Sequence, residues 1–429
     1  MLSAAAYLHG NGGDEVEAEP EAKGMAAGGE ASEVTGMRLG VVGFGKRIAY
    51  VINRELKQLE PDLKVAGVVD PDEAGARGRL EAADREAAVF YDGLDEMVGA
   101  ARLDALCIGT RCHLHAPYAV EAAQYDLPLF LEKPVAISME QASALEKAFE
   151  NSRCQVVVSF PLRVSPLCTL ARDYLCEGAV GEPEHLLAVN FVPYGTCYFD
   201  QQYREFAITQ GLFLQKATHD FDYIMYLMGA SIARVTAMAA RGRVFGGNKP
   251  AGLYCSRCDE QETCPESPQS RARNQTISYA NVDHPCLFGE DIGTPETGMN
   301  EDSSSALVEF SSGAQGVYTQ VFFSRRDAGR RGATISGYQG TVSFDWYDNQ
   351  LRRVRHHRPF SDVSRAGAEM SHFGGDQELA RDFLGVIRGK APSRTPIHTG
   401  IQSIYACLAA KQSAETGRWV TVRQVGQAG

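Results

Sequence analysis

The chain has 429 residues, 44% hydrophobic and 22% charged, with a formal net charge of -12. That length implies two or three domains with room for a sizeable core. The acidic balance argues against a nucleic-acid or anionic-membrane partner, and no stretch approaches the length of a transmembrane helix.

Met1–Leu8 is mildly apolar but lacks a basic start and a full apolar run, which argues against a signal peptide. Residues 1–36, rich in Gly, Ala and Glu, are expected to be a disordered leader. From Met37 strands and helices alternate. Apolar strands are predicted at Met37–Val42, Val65–Val69, Val89–Tyr91, Ala105–Ile108, Leu129–Leu131 and Gln155–Ser159. Helical spacing lies between them, at 46–59, 94–98, about 117–124 and 139–150. This order predicts a parallel α/β sheet with right-handed crossovers, one domain over 37–159.

After Phe160 the texture changes. Helices are predicted at Pro166–Cys176 and Ala217–Met228, with strands at Leu186–Val192, Ala233–Val244, Ser305–Phe310, Gly316–Phe323, Ala333–Ile335 and Thr341–Trp346. Ser311-Ser312-Gly313 is a hairpin signal, so the sheet is expected to be mostly antiparallel and the second domain, 160–398, α+β. Residues 246–302 are an aperiodic, cysteine-bearing insertion within it. Closing helices are predicted at Asp376–Ile387 and Ile401–Ala414, with 399–429 a C-terminal helix and tail. The one basic run, Arg352–Arg358, alternates like a strand and is expected to be a solvated face. Eleven cysteines, several inside apolar elements, suit a reducing cytoplasm.

Five motifs carry chemistry. In Gly40–Ile48, Gly43 and Gly45 permit a tight turn against a pyrophosphate, with Phe44 and Lys46 beside it and a helix behind. The third glycine of the usual pattern is replaced by Ile48. Asp70, ending the second strand, would accept the adenosine ribose hydroxyls and repel a 2′-phosphate, favouring NAD over NADP. Next comes the Gly109–His115 loop, where Thr110 and His115 are expected to line the cofactor cleft rather than bind a metal. In Leu127–Ala136, Glu132-Lys133-Pro134 follows a buried strand and puts Lys133 where such sheets bind ligands.

In Gln215–Asp222, Lys216, His219 and Asp222 fall on one helix face, where Asp222 could orient the imidazole. In His372–Asp376, Asp376 is expected to be an N-cap and His372 to point toward a substrate cleft. Cys255-x2-Cys258-x5-Cys264, with Cys286 and His284 beyond, has half the spacing of a zinc site. The alternatives there are a structural zinc, reduced thiols or a disulfide.

Together these motifs resemble the Gfo/Idh/MocA oxidoreductases over Met37 to Val422. The resemblance implies a Rossmann domain followed by a domain with a large, open-faced, mostly antiparallel sheet that carries the substrate site. It implies catalysis by Lys133 and His219 with Lys216 and Asp222, Glu132 orienting Lys133, and Arg163 near the cofactor. It also implies NAD, a sugar, cyclitol or related polyol as substrate, and a homo-oligomer, a dimer or tetramer paired through the open sheet face. One position departs from the pattern. Dehydrogenases of the family often carry an aspartate four residues before the histidine, and Gln215 stands there, beside the substrate. Two other classes therefore stay open: a sugar hydrolase, lyase or epimerase that holds and recycles NAD, and a non-catalytic ligand sensor.

Overall fold

The computed structural model describes residues 36–274, 282–293, 298–367 and 371–427. The expected leader thus lies outside the described residues, except for Gly36.

Six short strands form the first sheet: β1 (Arg38–Val42), β2 (Lys64–Val69), β3 (Val89–Phe90), β4 (Ala105–Ile108), β5 (Leu129–Leu131) and β6 (Val156–Val158). Their order is β3-β2-β1-β4-β5-β6, every pair parallel. β4, β5 and β6 are buried at every residue, as a parallel sheet covered on both faces requires. Strand order reverses between β1 and β4. A crevice therefore opens at their carboxyl ends, where the glycine turn and the Gly109–His115 loop emerge. The helix after β1 starts as Lys46–Tyr50, winds as a π-helix over Val51–Leu56 and closes as Lys57–Leu59.

The second sheet has nine strands: β7 (His185–Phe191), β8 (Ile232–Ala240), β9 (Ser303–Phe310), β10 (Gln315–Val321), β11 (Arg330–Ser336), β12 (Gly340–Asp345), β13 (Gln350–Arg355), β14 (Ser361–Ser364) and β15 (Val420–Thr421). Only β7 and β10 pair in parallel; the other neighbours are antiparallel. β7, β9 and β10 alternate buried and open positions, the pattern of a sheet with one covered face. Helices Pro166–Cys176, Ala217–Met228 and Ile397–Thr416 pack on the covered face. β13 carries the first part of the basic run, Arg352–Arg355, partly solvated, and the run continues into an exposed turn at His356–Arg358.

One helix departs from the expected domain boundary. Gly375–Ile387 was assigned to the second domain, yet Leu379, Phe383 and Leu384 pack into the same core as Leu39, Val41 and Phe44 of the Rossmann sheet. The chain then returns past β6, where the Val158 amide and carbonyl both bond Thr395 (each 2.8 Å). Apolar periodicity reports that a helix has a buried face; it does not report which sheet covers that face.

Candidate active site

The glycine turn is built by backbone. Gly43 sits at φ +78°, and a Cβ there would come within 2.7 Å of the Thr110 amide nitrogen, so only glycine fits. The Phe44 amide donates to Asp70 Oδ2 (2.7 Å) and the Asp72 amide to Asp70 Oδ1 (2.9 Å). The Asp70 carboxylate thus braces the turn, and each oxygen keeps a second lone pair. Phe44 itself is fully buried in the core and lines neither cavity. Gly45, Lys46 and Thr110 line a cleft of about 830 Å³. Gly45 precedes the helix with no side-chain cap, leaving the first-turn amides pointing outward. The space at Gly45, the unfilled helix start and the acid at the end of β2 fit a dinucleotide.

Next to this cleft, sharing Arg47, Gly109 and Thr110 with it, lies a second cavity of about 250 Å³, lined by Lys133, Gln215, Lys216, His219 and His372. Lys133 follows β5 across a cis bond to Pro134. Its ammonium donates to the Gln215 carbonyl (3.0 Å). Burial, and then the nearby Lys216 ammonium, lower its pKa to about 8. Glu132 does not orient that ammonium. Its Oε1 accepts from Arg47 Nε (3.1 Å) and the Ser159 hydroxyl (3.0 Å), and only the Lys133 backbone amide reaches Oε2 (3.3 Å). His115 lies behind the loop, its two ring nitrogens against the carbonyls of Pro134 (2.8 Å) and Thr110 (3.1 Å). It joins the two loops and also lines the cavity, and burial lowers its pKa.

On helix Ala217–Met228, His219 is buried and its pKa is driven well below the usual imidazole value, first by burial and then by Lys133. The ring is therefore neutral at pH 7. It is placed by packing, edge-on to Phe160 (6.1 Å) and 6.3 Å from the His372 ring, and its Nδ1 has no hydrogen-bond partner in the protein. This corrects the expected partnership with Asp222. That carboxylate pairs bidentately with the buried Arg163, whose Nε lies 2.9 Å away. Arg163 in turn lines neither cavity. Burial raises the Asp222 pKa to about 6, against the pull of Arg163. The two residues share a turn of helix, but the aspartate faces the helix that bears Arg163.

Lys216 does reach the pocket. Its ammonium donates to the Tyr194 hydroxyl (2.7 Å), and burial, followed by Arg331, lowers its pKa to about 7. The Gln215 side-chain oxygen is buried with no partner in the protein. His372 closes the pocket at φ +44°, in the left-handed region, and its Nδ1 bonds Asp376 (2.8 Å). Asp376 is not the expected N-cap. Gly374 takes that position, and the Asp376 carboxylate accepts from Ser371 (2.7 Å) and, bidentately, from Arg47 (2.8 and 2.6 Å). Burial alone would raise its pKa, but these donors hold it well below the usual carboxylate range.

The four cysteines of the insertion, Cys255, Cys258, Cys264 and Cys286, line one further cavity with Lys249 and Glu260. All are free thiols. Among the described residues, no group of three or more His, Cys, Asp or Glu side chains is arranged to hold a metal ion, so of the three alternatives the thiols stand reduced here. His284 approaches the Cys255 sulfur at 3.7 Å, but its ring nitrogens already face the carbonyls of Pro285 (2.9 Å) and Glu266 (3.1 Å).

Sequence reasoning missed Arg47, Tyr194, Tyr203, Arg79 and the Asp200–Tyr203 segment. Arg79 donates to the Phe44 carbonyl (2.6 Å) and lines the large cleft, as do Val282, Asp283 and His284 of the insertion. Arg47 lay inside the glycine motif, where a cation in the first helical turn is a usable signal. Tyr194 and Tyr203 follow β7 in a stretch without periodicity, which offers none.

Comparison with known proteins agrees with this geometry. Residues 37–160 match the family model described as oxidoreductase family, NAD-binding Rossmann fold, and residues 198–422 match its C-terminal alpha/beta domain. The oxidoreductase YteT of Bacillus subtilis (strain 168) is 24% identical over 330 residues, 68% of this chain and 75% of that protein. The scyllo-inositol 2-dehydrogenase (NAD(+)) of the same organism is 27% identical over 263 residues, 60% of this chain and 72% of that one. A solved levoglucosan dehydrogenase, in complex with NADH and levoglucosan, superposes with a TM-score of 0.68 at 17% identity, over 90% of this chain and all of that one, a likeness of fold. With both domain models matched across most of its length, this chain belongs to the Gfo/Idh/MocA oxidoreductase family.

Proposed function

We propose that the protein is an NAD-dependent dehydrogenase acting on a secondary hydroxyl of a sugar, cyclitol or related polyol. The observation that carries this reading is the meeting of Lys133 and His219 in one cavity at the carboxyl end of the parallel sheet, beside the dinucleotide cleft. His219, neutral at pH 7, is suited to take the hydroxyl proton. The Lys133 ammonium is suited to stabilise the negative charge that develops on the substrate oxygen. Gly43, Gly45, Asp70 and Thr110 would hold the dinucleotide, which supplies the hydride acceptor when bound. Asp70 favours NAD over NADP because a 2′-phosphate would face its carboxylate.

The relatives support the substrate class: one is named for scyllo-inositol, and a neighbour of the same fold for levoglucosan. The open face of the large sheet leaves Leu187, Leu307 and Met238 exposed at 44, 49 and 72%, and we take it as the surface of self-association. A panel of sugars and cyclitols with NAD, followed by the near-ultraviolet absorbance of NADH, tests the reading. Failure of every neutral and acidic polyol to reduce NAD would overturn it.

A second reading has its own support. Residues 282–284 and 201–203 line the large cleft together with Gly45–Arg47, so a dinucleotide there would meet walls from both domains. That favours a retained NAD, recycled during elimination or epimerisation. NAD that co-purifies and withstands gel filtration, with no net NADH on turnover, is the result this reading expects.

A further inference from the structure

The charges around the reaction cavity do not balance. Each buried carboxylate near it is taken by an arginine: Glu132 and Asp376 by Arg47, Asp220 by Arg331, Asp222 by Arg163. Lys133 and Lys216, by contrast, are paired only with neutral oxygens, the Gln215 carbonyl and the Tyr194 hydroxyl. Among the described residues, neither ammonium has a carboxylate within ion-pairing distance. Two lysines lining one cavity without a counter-ion, one of them buried, are costly unless a ligand brings the negative charge. The position before Lys216 is the neutral Gln215, whose side-chain oxygen is buried, unpartnered and able to accept from a substrate hydroxyl.

Resting on the dehydrogenase reading, we propose that the pocket is built for an acidic polyol. The substrate would be a uronate, an aldonate or a cyclitol carboxylate, its carboxylate bound by Lys216 with the Tyr194 hydroxyl, its reacting hydroxyl turned to Lys133 and His219. Lys216 is then the residue that sets specificity, while Lys133 and His219 serve the reaction common to acid and neutral substrates. A neutral sugar of the same size would leave the Lys216 ammonium uncompensated, so acid and parent sugar are separated by a charge pair in a low-dielectric site.

The test uses matched pairs: D-glucuronate against D-glucose, D-galacturonate against D-galactose, and D-gluconate against D-glucitol. Binding to the NAD-loaded protein is measured by calorimetry, alongside NADH formation. At least one acid is expected to bind about 10-fold or more tighter than its neutral partner. Lys216→Met should bring that ratio near unity, whereas Tyr194→Phe, which removes one hydroxyl contact but keeps the ammonium, should lower it only in part. Neutral members that bind as well as every acid, or a preference that survives Lys216→Met in a folded variant, would overturn the proposal. An acid that binds selectively yet yields no NADH supports the acidic site and counts against the dehydrogenase reading. Turnover of a neutral polyol without selective acid binding does the reverse.

Discussion

The dinucleotide cleft and the reaction cavity share Arg47, Gly109 and Thr110 along their border, yet they are specified differently. The Rossmann side of the cleft is made by backbone and by partners near in sequence. Asp70 braces Phe44 from 26 residues away, Arg79 from 35, and the Gly43 turn needs only a missing Cβ. The cavity is made by side chains held from afar. Lys133 meets Gln215 across 82 residues, Arg47 meets Glu132 across 85 and Asp376 across 329. A binding site that needs only a turn can be encoded locally. One that needs side chains from distant segments exists only after those segments have packed together.

Four substitutions probe that contrast. The largest effect is expected at Lys133→Met, which should lower kcat/KM by about 1,000-fold or more while NAD affinity, measured by fluorescence, stays close to wild type. If NAD affinity falls as far as turnover, cleft and cavity are not separable. On the other side, Gly43→Val forces a branched side chain into φ +78° and against Thr110. A loss of NAD affinity of about 100-fold is expected, with the far-ultraviolet circular dichroism spectrum retained; unchanged affinity would remove the turn from the site.

Arg47→Met strips the partner from the buried Glu132 and Asp376 at once. Denaturant unfolding should show a loss of about 3 kcal/mol, the size typical of breaking a buried ion pair. A loss below about 1 kcal/mol would mean that the network is not what joins the regions.

The smallest effect has the opposite sign. The Lys216 pKa falls from the usual 10.5 to about 7 in the fold, so between those values the unfolded chain binds more protons than the native state. Its contribution to stability therefore improves as pH rises from about 7 to 10.5, and the cost is full below pH 7. Lys216→Met should stabilise the protein by about 1–2 kcal/mol at pH 6 and by progressively less toward pH 10. A destabilised variant at pH 6 would show that the ammonium is satisfied in the free protein.

This contrast also explains what could be read from the residues alone. β1, β2, β4 and β5 lie within a residue of the expected bounds, and Pro166–Cys176 and Ala217–Met228 match at both ends, because burial on a sheet or helix writes a short-period pattern. Lys133, Lys216 and His219 converge as their motifs implied. The partnerships did not follow. Spacing of three placed Asp222 near His219 on one helix, but only the second domain's packing reveals that Arg163 takes it. Asp376 has the sequence position of a cap, yet its carboxylate turns inward to Arg47, which no local pattern records. The cysteines show the same limit: spacing put four thiols around one cavity without disposing them for an ion.

The seating of Leu379, Phe383 and Leu384 in the Rossmann core bears on how the protein is made. During synthesis the nucleotide-binding half emerges first, but the part of its core that Leu379, Phe383 and Leu384 fill stays open until residue 387 has left the ribosome. It cannot mature as an independent N-terminal unit in the usual order. A nascent chain arrested at residue 200 should remain protease-sensitive and unable to retain dinucleotide, so the two halves of the enzyme become competent together, near the end of translation.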